Sequence, residues 1–231
     1  LFVLTDNAHA FAESKEYFTA KARLESFRAY SRLAEGKKYR DLPVKNITKS
    51  TEINDGLFYD DTYVYTFNFP SVAKGTRLVA ESEIRYDDPF YPIIFNFGGS
   101  IPYDSSLLTI TIPETVRLNF HLFGNDTSLV RFSKTSKGKR ITYQWSASDL
   151  PAYSGDENSP GFQYYTPHIF VHIAGYQLNG EYKRGIETIE DLYAWNSSNL
   201  SRLSSQPSPE IRQLTDSLVK NCTCPGEKGR I

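Results

Sequence analysis

From Thr62 to Phe69 the chain reads TYVYTFNF, and the pattern repeats every second residue. Successive side chains of a strand point to opposite faces. Tyr63, Tyr65, Phe67 and Phe69 therefore share one face, and Thr62, Val64, Thr66 and Asn68 share the other. After the turn residues Pro70 to Gly75, RLVAESEIRY alternates again, with Leu78, Ala80, Ser82 and Ile84 on one side. The pattern predicts two strands, and their nearness predicts that they pair as an antiparallel hairpin.

Runs of the same texture follow in YPIIFNF, SLLTITIP, TVRLNFHLFG, VRFSKTS, KRITYQWSAS and HIFVHIAGY. Gly-Gly, Pro-Glu, Gly-Asn-Asp and Lys-Gly-Lys breaks separate them at roughly the 8–12 residue spacing of a sandwich. Between Lys15 and Leu33 two readings fit. Helical spacing aligns Tyr17, Ala20, Leu24, Phe27 and Tyr30, whereas alternation aligns Phe18, Ala20, Ala22 and Leu24. The neighbouring runs favour strands, so one antiparallel β-sandwich is expected over Lys15 to Tyr176.

The period then changes. Thr188, followed by Ile189, Glu190 and Asp191, supplies a hydroxyl cap and first-turn acids, and Ile189, Leu192, Trp195, Leu200 and Leu203 mark a helical stripe. Beyond SSQPS, Ser208 can cap, Pro209 suits the first helical position, and Ile211, Leu214 and Leu218 recur at helical spacing up to Asn221. The last residues, CTCPGEKGRI, have the form of a third helix start, with Pro225 at the first position and Glu227 in the first turn.

Composition narrows the function. Lys and Arg number 26 against 27 Asp and Glu, so the chain lacks the basic footprint that phosphate-backbone binding requires, and nucleic acid is not expected as a partner. No segment approaches the roughly 20 apolar residues of a membrane helix. Aromatic residues make up 14%, which favours pleated, half-buried surfaces. Met is absent and Leu1 opens the chain, as in a processed exported protein or an excised piece.

Motifs for chemistry are sparse. No GxSxG elbow, P-loop, GxGxxG or HExxH occurs. His168 and His172 stand four apart in a strand pattern, about 13 Å along it, too far for one metal ion. The acidic pairs Asp60-Asp61, Asp87-Asp88 and Asp156-Glu157 lie beside turn residues, where Asp serves backbone hydrogen bonding, and none has Ca²⁺-loop spacing. Cys222 and Cys224 are too close for an unstrained disulfide and form half a metal site at most. Cys224, just before a helix start, could have a lowered pKa, but a structural role is the stronger reading. Asn-x-Ser/Thr sequons at Asn46, Asn125, Asn196, Asn199 and Asn221 matter only on a eukaryotic secretory route. The expectation is no catalytic residue, no cofactor and no metal.

The order of the pieces carries a resemblance. GLFYDDTYVYTFNFPSVAKGTRLVAESEI, the FNF and SIPYDSSLLTITIP stretch, YQWSASDLPAYSGDENSP and EDLYAWNSSNLSRL together resemble the bacterial domain of unknown function 3857. Pro70 and Gly75, Pro102, Tyr143 with Trp145, Leu150-Pro151-Ala152, Glu157 with Pro160, and Trp195 stand at that family's steps. The likeness covers roughly Lys37 to Ile231, and residues 1–36 match least.

The resemblance implies a mainly β fold, an Ig-like antiparallel sandwich over 1–185 followed by linker helices over 186–231. It also implies that this module precedes a transglutaminase-like domain with a papain-type triad in exported, periplasmic or cell-surface bacterial proteins. GEKGRI then resembles the opening of the helix that enters that domain. The module itself would be a non-catalytic scaffold whose partner is the following domain of the same chain. The alternative is an independent glycan- or peptide-binding module, with the Tyr63–Phe69 face as its candidate surface. Trp145, Tyr193 and Trp195 are the candidate ligand or domain-interface residues. Tyr63, Tyr65, Phe67, Leu78, Ile84, Leu108, Ile110, Tyr143, Trp145 and Trp195 are the expected buried set.

Overall fold

A computed structural model describes residues 1–5, 8–19, 21–51, 62–154, 158–201 and 207–220. Contacts divide the chain into two compact units, Leu1–Tyr91 and Pro92–Ile231. That boundary falls inside the span that the alternation groups as a single sandwich.

The first unit holds β1 (Glu13–Phe18), β2 (Ala22–Glu35), β3 (Lys38–Pro43), β4 (Ile47–Thr51), β5 (Tyr63–Asn68) and β6 (Arg77–Tyr86). They form two antiparallel three-stranded sheets, ordered β1-β5-β4 and β3-β2-β6. The ambiguous Lys15–Leu33 segment is strand on both sides of a tight reversal, as its neighbours suggested. The expected β5–β6 hairpin does not form: β5 pairs with β1 and β4, and β6 pairs with β2. Alternation fixes which side chains share a face but not which strand lies alongside, and the loop at 70–76 carries the chain from one sheet to the other.

Phe67 of β5 meets Phe27 of β2 at 5.0 Å, which joins the two sheets through their facing sides. Phe69 and Val72 pack on a second buried group of Val3, Ala8 and Leu78. Tyr63 and Tyr65 are only half-buried, and Val64, on the opposite face, is buried, so β5 does not divide into one buried and one exposed side. On the outer side of β2, Arg28 pairs with Glu81 and Arg32 with Asp41, and both guanidiniums lie over Tyr30. Tyr30 is consequently 7% exposed although it faces away from the other sheet.

The second unit holds β7 (Ile93–Asn96), β8 (Tyr103–Pro113), β9 (Val116–Phe123), β10 (Arg131–Lys137), β11 (Arg140–Leu150), β12 (His168–Leu178) and β13 (Glu181–Arg184). It also holds α1 (Phe162–Tyr165), α2 (Ile189–Leu200) and α3 (Pro209–Val219). One antiparallel sheet runs β10-β11-β8; in the other, β12 pairs with β7, β13 and β9. Each β-rich run picked from the alternation between Tyr91 and Tyr176 contains one of these strands.

The register explains the core. Ile112↔Ile141, Ile110↔Tyr143 and Leu108↔Trp145 stand opposite on one face of β8 and β11, while Thr111 and Thr142 meet hydroxyl to hydroxyl at 3.1 Å on the other. From the second sheet, Ile169 and Val171 of β12 and Leu118, Phe120 and Leu122 of β9 complete the cluster. Phe120 closes on Trp145 edge-on at 4.9 Å, and Tyr143 stacks on Trp145 at 5.9 Å. Leu108 and Ile110 are half-buried rather than fully enclosed.

Candidate functional site

The three candidate residues do not form one site. Trp145 is 0% exposed at the centre of the second unit's core, where its ring is closed to any ligand. Tyr193 is 68% exposed and Trp195 half-buried, both on α2. Two positions apart on a helix means about 200° around its axis, so the two rings point to nearly opposite sides and cannot serve one flat partner together. The expected full burial of Trp195 is not observed, because α2 buries none of its residues.

The other predicted features resolve individually. His168 and His172 both lie on β12, in the strand conformation expected, and His168 Nδ1 is 3.0 Å from the Thr166 carbonyl. Asp87 pairs with Arg23, and an Asp88 oxygen accepts the Phe90 N–H at 2.9 Å, the turn-forming use expected of that pair. Asp60-Asp61, Asp156-Glu157, Leu203, Asn221, both cysteines and the expected third helix lie outside the described residues. Among the described residues no group of three or more His, Cys, Asp or Glu could hold a metal ion, and no helix is long and apolar enough to cross a membrane.

On the Tyr63–Phe69 face, the Lys49 ammonium sits 4.0 Å from the centre of the Tyr63 ring, and Phe18 meets Tyr65 edge-on at 5.5 Å. These rings are engaged within the chain. Burial pushes the Glu16 carboxyl beside them above its ordinary range.

Among the described residues, both longer helices also carry exposed apolar side chains. Thr188 caps α2 through a complete capping box, its hydroxyl accepting the Asp191 N–H at 3.3 Å while the Asp191 carboxylate accepts the Thr188 N–H at 3.0 Å. Ile189, Leu192, Tyr193 and Leu200 then fall on one side of the helix, all exposed. Ser208 caps α3 by accepting the Ile211 N–H, with Pro209 at the first helical position. Ile211, Leu214 and Leu218 form a single stripe on α3 and are between 54% and 61% exposed. A helix with an apolar stripe ordinarily covers it against another element.

Polar contacts fix the chain where it leaves β13. One Asp191 oxygen accepts from Arg184 Nη2 at 2.9 Å, from Arg184 Nε at 3.2 Å, and from the N–H groups of Glu187 and Thr188. Burial alone would raise this carboxyl, but Arg184 and Thr188 outweigh it and hold it below the usual carboxylate range. Glu187 pairs with Arg117 of β9. The capping half of this arrangement is legible in TIED. The ion pairs are not, since nothing local marks Arg184 or Arg117 as their partners.

Comparison with known proteins agrees with this architecture. A crystal structure described as a "putative protease" from Parabacteroides distasonis ATCC 8503 superposes with a TM-score of 0.64 at 15% identity, covering 97% of this chain and 42% of that one. The chain thus spans less than half the length of the protein it resembles, and at this identity the likeness concerns the fold. No curated protein matches the sequence. The family model of a domain of unknown function with solved structure, DUF3857, matches residues 2–154 of the 231. The chain belongs to the DUF3857 family.

Proposed function

We propose that residues 1–231 form a non-catalytic accessory module of a longer, protease-like exported protein, and that α2 and α3 dock on a catalytic domain that follows in the same polypeptide. The carrying observation is the apolar stripe Ile211, Leu214 and Leu218, capped and regular yet uncovered. Support for a partner in the same chain comes from the structural neighbour, of which this chain spans only 42%. The resemblance described above supports reading that domain as transglutaminase-like. In this reading the sheets of the second unit supply the base, and the polar contacts at Asp191 set the direction in which α2 leaves it.

The test is amide hydrogen exchange on residues 189–200 and 209–219, in the 231-residue chain and in the same chain extended through its reading frame. Protection of both stripes on extension is expected, together with its loss in Leu214→Lys. Equal exchange in the two proteins, or a reading frame that stops soon after Ile231, would overturn the proposal. The absence of hydrolytic or acyl-transfer activity in the short chain is expected, and such activity there would equally contradict it.

A further inference from the structure

We propose a second, independent role: the outer face of β7, β12 and β9 is a binding face for a neutral oligosaccharide. Because Ile169 and Val171 point into the core, His168, Phe170 and His172 point out, and the register places their neighbours. One row is Asn96, His168 and Phe123; the next is Ile94, Phe170 and His121; Asn119 stands opposite His172. Three of the four histidines in the chain therefore share this face with two phenylalanines and two asparagines. Residues 186 and 187 lie against the His172 end, where Glu187 pairs with Arg117, so the open part is the first two rows, about 10 Å wide and about 7 Å along β12, room for one or two sugar rings.

Its first row is built rather than incidental. At Gly124, where φ is +103°, a Cβ would come within 2.4 Å of the Thr166 carbonyl oxygen, so only glycine lets the Thr166–Pro167 backbone approach the end of β9 so closely. That carbonyl accepts from His168 Nδ1–H, leaving Nε2 as a hydrogen-bond acceptor in the neutral ring. The ring stacks on Phe123, 5.5 Å away and tilted by 23°. Phe123 is nevertheless 49% exposed and Ile94 53%. The side chains of Asn96, Asn119 and His121 make no hydrogen bond to another described residue. The face thus offers flat apolar rings interleaved with unspent neutral donors and acceptors.

The chemistry selects the ligand class. A sugar ring presents C–H groups to an aromatic face and hydroxyls around its rim, which matches rings flanked by amide and imidazole groups. An acidic ligand would need a free cation, and the arginine bordering the face, Arg117, is paired with Glu187. An extended peptide read by strand addition would line up along the outer edge of β7 or β9, each of which pairs only with β12 among the described residues, and would not lie across these rings.

The experiment is calorimetric titration of the 231-residue chain, and of its full polypeptide, with cellohexaose, mannohexaose and chitohexaose, against hyaluronan hexasaccharide and a mixed-sequence decapeptide pool. Binding of at least one neutral sugar is expected. Phe123→Ala should weaken it between about 2-fold and 10-fold, the range of one aromatic contact, with His168→Ala at least as damaging. Phe123→Trp should retain binding, and Tyr39→Ala, at an exposed ring of the other unit, should leave it unchanged; unaltered melting of each variant excludes misfolding. No neutral sugar bound, binding indifferent to Phe123→Ala, or binding only of the acidic sugar or the peptides would overturn the proposal.

Discussion

Ser31 and Ser71 hold each other by two hydrogen bonds: the Ser31 hydroxyl donates to the Ser71 carbonyl at 2.8 Å and accepts the Ser71 N–H at 3.1 Å. Ser31 is 0% exposed within β2, and Ser71 lies in the loop that crosses from β5 to β6. One side chain thus satisfies both backbone groups of a residue in a segment with no ladder of its own. Ser31→Ala would leave that N–H and carbonyl without partners, at a cost of about 1–3 kcal/mol. Urea denaturation should show a lower midpoint with an unchanged slope. A midpoint equal to that of the wild type would mean that water or a shifted loop replaces the hydroxyl.

The two tryptophans should behave differently. Trp145 fills the centre of the second unit, so Trp145→Ala should cost about 3–5 kcal/mol. Its Nε1 is buried without a hydrogen-bond partner among the described residues, so Trp145→Phe removes an unsatisfied donor along with volume and should cost less than half as much. Trp195, half-buried on a helix that encloses nothing, should fall well short of either in the 231-residue chain. Thermal melts of the three variants check the order, and a Trp195→Ala loss equal to that of Trp145→Ala would refute the exposed placement of α2.

Legibility in the sequence followed the range of the interaction. Thr188 and Ser208 were readable as caps because a cap is satisfied within three residues. The faces of β8 and β11 were readable from alternation. The partners of β5 were not, because alternation marks the faces of a strand while pairing runs along its backbone edges, and β1 lies far along the chain. Burial was overestimated wherever an apolar side chain has no opposing layer, as on α2, or lies towards a sheet's rim, as at Tyr63. Tyr30 shows the converse: Arg28 and Arg32 bury it by folding over its ring, and no periodicity predicts that. The His168–Phe123 row was missed because its members lie on different strands and meet only through register.

Acidification should reveal His172. Its pKa is lowered chiefly by burial, with the neighbouring His121 adding to the effect and a backbone hydrogen bond at Ile186 opposing it. The unfolded imidazole takes up a proton near pH 6.5, the folded one only at lower pH. Between those values the unfolded chain binds more protons, so stability is retained above about pH 6.5, falls as pH drops below it, and levels off below the folded pKa. Glu16, raised by burial, works in the opposite sense from its ordinary value of 4.5 upwards, so the raw curve mixes the two. Melting temperatures of wild type and His172→Gln from pH 8 to pH 5 separate them. The difference between the curves should change below pH 6.5 in favour of the variant, and parallel curves would show that the ring titrates alike in both states.

The Asp191 carboxylate ties α2 to β13 and caps it with the same oxygen, so its replacement should loosen the helix at its start without melting the sheets. In Asp191→Asn one oxygen can still accept a backbone N–H, but the charge opposite Arg184 is gone and an amide donor faces a guanidinium donor. Amide exchange in the first turns of α2 should quicken while exchange in β11 and β12 stays unchanged. Arg184→Gln alone should do the same to a smaller degree, because the capping box survives it. If Arg184 and Asp191 act through one another, adding Arg184→Gln to Asp191→Asn should produce little further change. Fully additive effects would mean that Arg184 only neighbours the carboxylate, and the direction of α2 would then rest on the cap and on the Arg117–Glu187 pair alone.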